Sequence, residues 1–151
     1  MVQPTFLQSL FEESYAKVRQ ATDQIEHAES IQSAIQGVNS MYWIVGHIVV
    51  SRCNFSMLLD VPSIWNWATC KLFIPGSIST TETTQQISFP DLLTDLDRTQ
   101  SQLMTALERA ATTDLETMKD AKTVGEELIE YAIHESFHVG QLELLRWWMR
   151  N

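Results

Sequence analysis

Two histidines one helical turn apart are the residues of this chain best suited to chemistry. His134-Glu135-Ser136-Phe137-His138 reads H-E-x-x-H within a strongly helical stretch. Side chains at i and i+4 share a helix face, so both imidazoles can converge on one metal ion. In zinc peptidases the Glu of this motif is the general base, and a third ligand follows downstream. Here thirteen residues follow His138, and the positions that the extended motif reserves for Gly and His hold Gln141 and Leu144. Glu143 falls on the opposite side of the helix from His138. A peptidase is a poor fit, and a third ligand has to come from upstream.

Two histidines remain there. His27 stands among Asp23, Gln24, Glu26 and Glu29 and reads as a solvated helix-end residue. His47 lies inside Met41–Val50, the longest apolar stretch, on a face with Trp43, Ile44, Ser51 and Phe55. A histidine embedded this way must satisfy both ring nitrogens. Hydrogen bonds alone would do so, but the i,i+4 pair on another apolar helix makes His47 the candidate third ligand. Three neutral imidazoles leave one position open, as in catalytic sites; structural zinc sites are closed by four protein ligands. Imidazole suits zinc, nickel, iron and copper, and zinc or nickel is the expected divalent metal.

Such a site needs helices to hold it. Leu7, Leu10, Phe11, Ser14, Val18 and Ile25 recur at helical steps after Pro4, and Asn39 or Ser40 can cap a second helix running to about Leu59. Ser88-Phe89-Pro90-Asp91 opens a third, and Thr123-Val124-Gly125-Glu126 opens a fourth that runs almost to the C-terminus. The expected fold is all-α, a four-helix bundle forming one domain over residues 1–151. A connection of about thirty residues, 60–89, joins helices two and three. It contains Trp65, Trp67 and a Ser/Thr-rich run from Ser77 to Thr84, and its length suits a crossover or a lid.

Composition narrows the function further. Ten Lys and Arg against nineteen Asp and Glu give a formal charge of −9, which repels phosphate backbones, so no nucleic acid is expected as partner. Eleven acidic and four basic residues between Asp91 and Glu135 supply −7 of it, as a solvated flank or a face for a basic partner. Two cysteines, Cys53 and Cys70, suit a reducing compartment. With no signal-peptide pattern and an apolar run of about ten residues where a membrane span needs about twenty, the expectation is a cytoplasmic protein without a membrane partner.

The motifs resemble a known family. Asn39-Ser-Met-Tyr-Trp43-Ile-Val-Gly46-His47 is similar to the N-x-x-x-W-x-x-G-H segment of the DinB/YfiT-like metalloproteins. His134-Glu-Ser-Phe-His138-Val-Gly140-Gln141 is similar to their last-helix segment, and the roughly ninety-residue separation matches as well. The resemblance implies a four-helix bundle with a long crossover, often a homodimer, and a divalent metal held by His47, His134 and His138. It also implies a small-molecule substrate. Members include transferases and isomerases that use a low-molecular-weight thiol, and metal-dependent hydrolases. A bound metal could lower the pKa of water or hold a thiol as thiolate.

Several neighbours have expected roles. Glu127, Glu130, Tyr131 and Gln141 share the face of His134 and His138. Glu130, four residues before His134, can orient its ring from outside the ligand set, and Gln141 belongs to the same outer set. Glu135 is the motif's candidate catalytic residue, yet it points about 100° away from His134, and it reads as a surface charge rather than a base. Tyr42, Val45, Val49 and Cys53 give helix two a second apolar face, which suits central burial or a dimer interface. Trp147 and Trp148 could join that interface or pack in the core. The alternative to an enzyme is a non-catalytic bundle, a binding or stress-response module, in which the metal contributes folding free energy.

Overall fold

Pro4 stands in the first turn of α1 (Pro4–Thr22), where its missing N–H removes no helical hydrogen bond. Leu7, Phe11, Ser14, Val18 and Ala21 are buried at three- and four-residue steps and form one stripe. The computed structural model describes residues 1–33, 37–77 and 86–151, so most of the Ser/Thr-rich run at 77–84 lies outside the described residues. A short helix, α2 (His27–Ser30), precedes α3 (Met41–Ser56), which Ser40 caps by accepting the Trp43 N–H. Every residue of α3 except Asn54 is buried. The helix runs into one 3-10 turn, Met57–Leu59, and stops at Asp60, whose φ of 57° is left-handed.

The long connection has structure of its own. It holds α4 (Trp67–Cys70), capped by Asn66, and a 3-10 turn at Lys71–Phe73. Behind the Ser88 cap begins α5 (Phe89–Arg109), which buries Leu92, Leu96, Leu103 and Leu107. After α6 (Thr112–Leu115), β1 (Met118–Lys119) pairs antiparallel with β2 (Lys122–Thr123). Strands of two residues leave no periodicity to read, and the sequence reading lacks them. A reciprocal capping box between Thr123 and Glu126 then starts α7 (Val124–Arg150).

The described residues are mostly helical, in keeping with an all-α fold. α1 packs on α5 and α7, and α3 packs on the same two helices. Phe11 stacks on Phe55 at 5.0 Å, and Tyr42 donates to the Ile87 carbonyl. His27 is not a solvated end: its Nδ1 accepts the Phe89 N–H at 3.0 Å, and its ring edge meets Tyr42. It thereby satisfies one of the orphan donors at the start of α5.

The core divides into two apolar clusters. One gathers Ile44, Ile48, Phe73, Leu92, Leu96, Leu142 and Leu145; the other gathers Leu7, Phe11, Phe55, Leu103, Leu107 and Leu128. Each long helix carries a buried polar residue near the junction of the two clusters: Ser14, Arg52, Gln100 and Glu135. Trp147 and Trp148 are not core residues, being 59% and 54% exposed.

Candidate metal centre

His47 on α3 and His134 and His138 on α7 bring one ring nitrogen each to within 4.8 Å of one another. The construction begins with a glycine. A Cβ at Gly46 would lie 2.2 Å from the Phe73 ring, so only glycine admits Phe73 against α3 at this point. The Phe73 carbonyl then accepts from His47 Nδ1 at 2.7 Å. A carbonyl only accepts, so Nδ1 carries the proton and Nε2 of the neutral ring keeps its lone pair. His138 is set the same way, with Nδ1 2.7 Å from Gln141 Oε1.

The donor set fits a cation. His134 Nε2 and His138 Nε2 face each other at 3.1 Å. Two nitrogens bound tetrahedrally to one zinc at ~2.0–2.1 Å stand about 3.3 Å apart, close to that spacing. Burial holds the His47 pKa below its ordinary value; the Phe73 carbonyl opposes that shift and His134 adds to it. Burial likewise pushes His138 down to about 4. Both rings are neutral at pH 7, the form that ligates metal.

Aromatic side chains wall the cluster. Trp43 stacks on His47 with centroids 4.8 Å apart and planes 10° from parallel. Its Nε1 donates to Ser77 Oγ, which ties α3 to the long connection. Phe137 meets His138 edge-on at 5.3 Å. The connection reaches the site through Phe73 rather than through Trp65 or Trp67. Trp65 stacks behind Phe73 and donates to Asp95, while Trp67 is 63% exposed beneath Lys71.

Two outer residues behave differently from one another. Gln141 orients His138, as described. Glu130 does not face the histidines: β2 carries Lys122 over the first turns of α7, and the Glu130 carboxylate pairs with it at the surface. Tyr131 packs its ring on Phe55 at 5.0 Å. Cys53 and Cys70 are buried free thiols outside the histidine group, and burial pushes the Cys70 thiol pKa up.

Glu135 is the main correction. It is not a surface charge but 1% exposed. Arg52 Nε donates to its Oε2 at 2.9 Å and Arg52 Nη2 to its Oε1 at 2.7 Å. Ser14 Oγ donates to Oε1 as well, and Arg52 Nη1 reaches Gln100 Oε1 at 2.8 Å. One network thus joins α1, α3, α5 and α7, and both carboxylate oxygens are engaged. The alternation of the motif splits it between two centres, with the histidines in one and the glutamate in the other. The signal available in the sequence was Arg52, a lone cation near the end of the most apolar helix.

A groove of about 650 Å³ between the Met57–Leu59 turn and the second half of α5 contains no histidine and is separate from the cluster. Residues 10–142 of the 151 match the DinB superfamily, and the chain belongs to it. No curated protein matches the chain.

Proposed function

We propose that this member of the DinB superfamily is a divalent-metal enzyme in which His47, His134 and His138 hold zinc or nickel and leave one coordination position for substrate. The observation that carries the reading is the convergence of three imidazoles, two of them fixed by outer partners so that Nε2 points inward. When bound, such an ion supplies Lewis acidity that lowers the pKa of water or keeps a thiol as thiolate. Phe73 and Gln141 hold the Nδ1 protons in place, fixing tautomer and ring orientation. Trp43 and Phe73 exclude water from the α3 side. Glu135 takes no proton in this scheme, because Arg52 and Ser14 occupy its oxygens.

The reaction is thiol-dependent transfer or isomerisation, or hydrolysis, on a small molecule. Arg52 is consumed by Glu135, and Arg146 donates to the Ala21 and Asp23 carbonyls. With both nearby cations engaged, a substrate or thiol without strong negative charge fits best. We read the architecture as a four-helix bundle in one domain over 1–151. Tyr42 beside Ile87 and Arg52 beside Gln100 support α5 running parallel to α3, as a crossover allows. Two free buried cysteines support a cytoplasmic location, and no described helix is long and apolar enough to cross a membrane.

The structural alternative, a metal that serves only to tie α3 to α7, is disfavoured because the Arg52–Glu135 pair already does so. The test is a screen for thiol transfer and ester hydrolysis by zinc- and nickel-loaded protein, with chelated protein and His138→Ala as controls. Turnover lost in both controls is expected. Strong metal stabilisation with no turnover on any substrate would favour the structural reading.

A further inference from the structure

Ser51 stands one turn past His47 on α3 and is 7% exposed. Buried hydroxyls in helices ordinarily donate to the carbonyl three or four residues back, as those of Thr22 and Thr99 do here. Ser51 does not, and among the described residues its hydroxyl has no hydrogen-bond partner. Burying a hydroxyl without a partner is unfavourable, so its position calls for an explanation.

Successive turns of α3 carry Trp43, His47, Ser51 and Phe55, each about 40° round the helix from the one before. Opposite them α7 runs the other way. His47 meets His138 and His134 with ring centroids 4.8 and 5.3 Å apart, and Phe55 meets Tyr131 at 5.0 Å. Ser51 lies between those contacts on the same row, so it faces α7 between the histidines and Tyr131. The rest of the wall has little polarity left to offer. Trp43 stacks on His47, Phe137 meets His138 by its edge, and Gln141 is engaged by His138 Nδ1. Arg52, the next residue, is held by Glu135 and Gln100. Ser56 is likewise buried and without a partner, but it stands about 180° round the helix from His47. Ser51 is the one of the two that borders the cluster.

We propose that Ser51 contacts the substrate, its hydroxyl donating to an acceptor atom, such as a carbonyl oxygen, placed at the open coordination position. A hydroxyl gives direction without charge. It therefore favours neutral carbonyl compounds such as esters and thioesters over carboxylates and phosphates, which are held best by a cation. The inference rests on the reading of the three histidines as a metal site.

The test is binding of azide and of acetohydroxamate to the cobalt-loaded full chain, read from visible absorption in wild type, Ser51→Ala and Ser56→Ala. Azide accepts hydrogen bonds and has no proton to donate, and acetohydroxamate presents a carbonyl oxygen. Ser51→Ala is expected to bind cobalt as tightly as wild type and both probes about tenfold more weakly, the usual contribution of one hydrogen bond. Ser56→Ala is expected to match wild type throughout. In metal-free protein Ser51→Ala is expected to unfold at the wild-type urea midpoint or above it. No hydrogen bond is lost there, and alanine is the better helix former. Wild-type affinity for either probe in Ser51→Ala, or an equal loss in Ser56→Ala, overturns the inference and leaves the metal site standing. So does a lower urea midpoint or a loss of cobalt affinity in Ser51→Ala, because the hydroxyl would then serve the fold or the ligand set. Failure of cobalt to bind the wild type overturns the metal site and the inference together.

Discussion

At His47, α3 offers α7 a ring with one nitrogen fixed by the Phe73 carbonyl and the other free. Five residues on, at Arg52, it offers a guanidinium whose fork is met by Glu135 and Gln100. The first contact brings ring nitrogens together, with 3.1 Å between His134 Nε2 and His138 Nε2. The second pairs opposite charges and fills the acceptors of Glu135 and Gln100 with donors from two helices, Ser14 of α1 and Arg52 of α3. Both lie between the same two helices and both are built from polar residues in an apolar core. What separates them is their chemistry: the network around Glu135 is a closed set of donors and acceptors, whereas the histidine cluster could hold a cation. A closed cluster sets architecture, because removing a member strands a buried charge. The histidine cluster is where the proposed function places the chemistry.

The largest expected effect breaks the closed contact. Glu135→Ala leaves Arg52 buried without its counter-ion and should lower stability by ~3–5 kcal/mol, measured by urea unfolding of the metal-free protein. Gly46→Ala comes next, because a methyl group cannot coexist with the Phe73 ring; overpacking of this kind costs ~1–3 kcal/mol. It should also weaken metal binding by displacing the carbonyl that holds His47, and a zinc titration checks this. Gln141→Ala touches only the orientation of His138, so a loss of about 10–100-fold in metal affinity is expected, with metal-free stability unchanged. The smallest effect is that of His134→Ala in metal-free protein, expected within ~0.5 kcal/mol of wild type. Neighbouring residues 134 and 135 therefore sit at opposite ends of the series, and comparable losses from both would dissolve the distinction.

Much of the site is legible in the sequence. An i,i+4 histidine pair on an apolar helix and a third histidine inside another report their convergence through burial and helix geometry alone. Gly46 was visible as part of a motif, but its reason was not, since Phe73 approaches from a connection without periodicity. Glu135 was misread because a helical wheel gives relative directions without saying which are buried. α7 packs against both α1 and α3, so it has more than one buried side, and a default that sends charges to solvent fails there. Its partner Arg52 lies 83 positions away, beyond any local pattern. Glu130 failed for the opposite reason: a short hairpin placed Lys122 within its reach. The four long helices were read from caps and stripes, which are local, whereas β1, β2 and α4 were too short to leave a period.

The most direct test is a cobalt titration of the metal-free chain, followed by its visible absorption, in wild type and in the three single alanine variants. One ion per chain in the wild type, with the ligand-field bands lost in His47→Ala, His134→Ala and His138→Ala alike, is the predicted result. Full binding with unchanged bands in His47→Ala would contradict it, because the metal would then be held by α7 without α3.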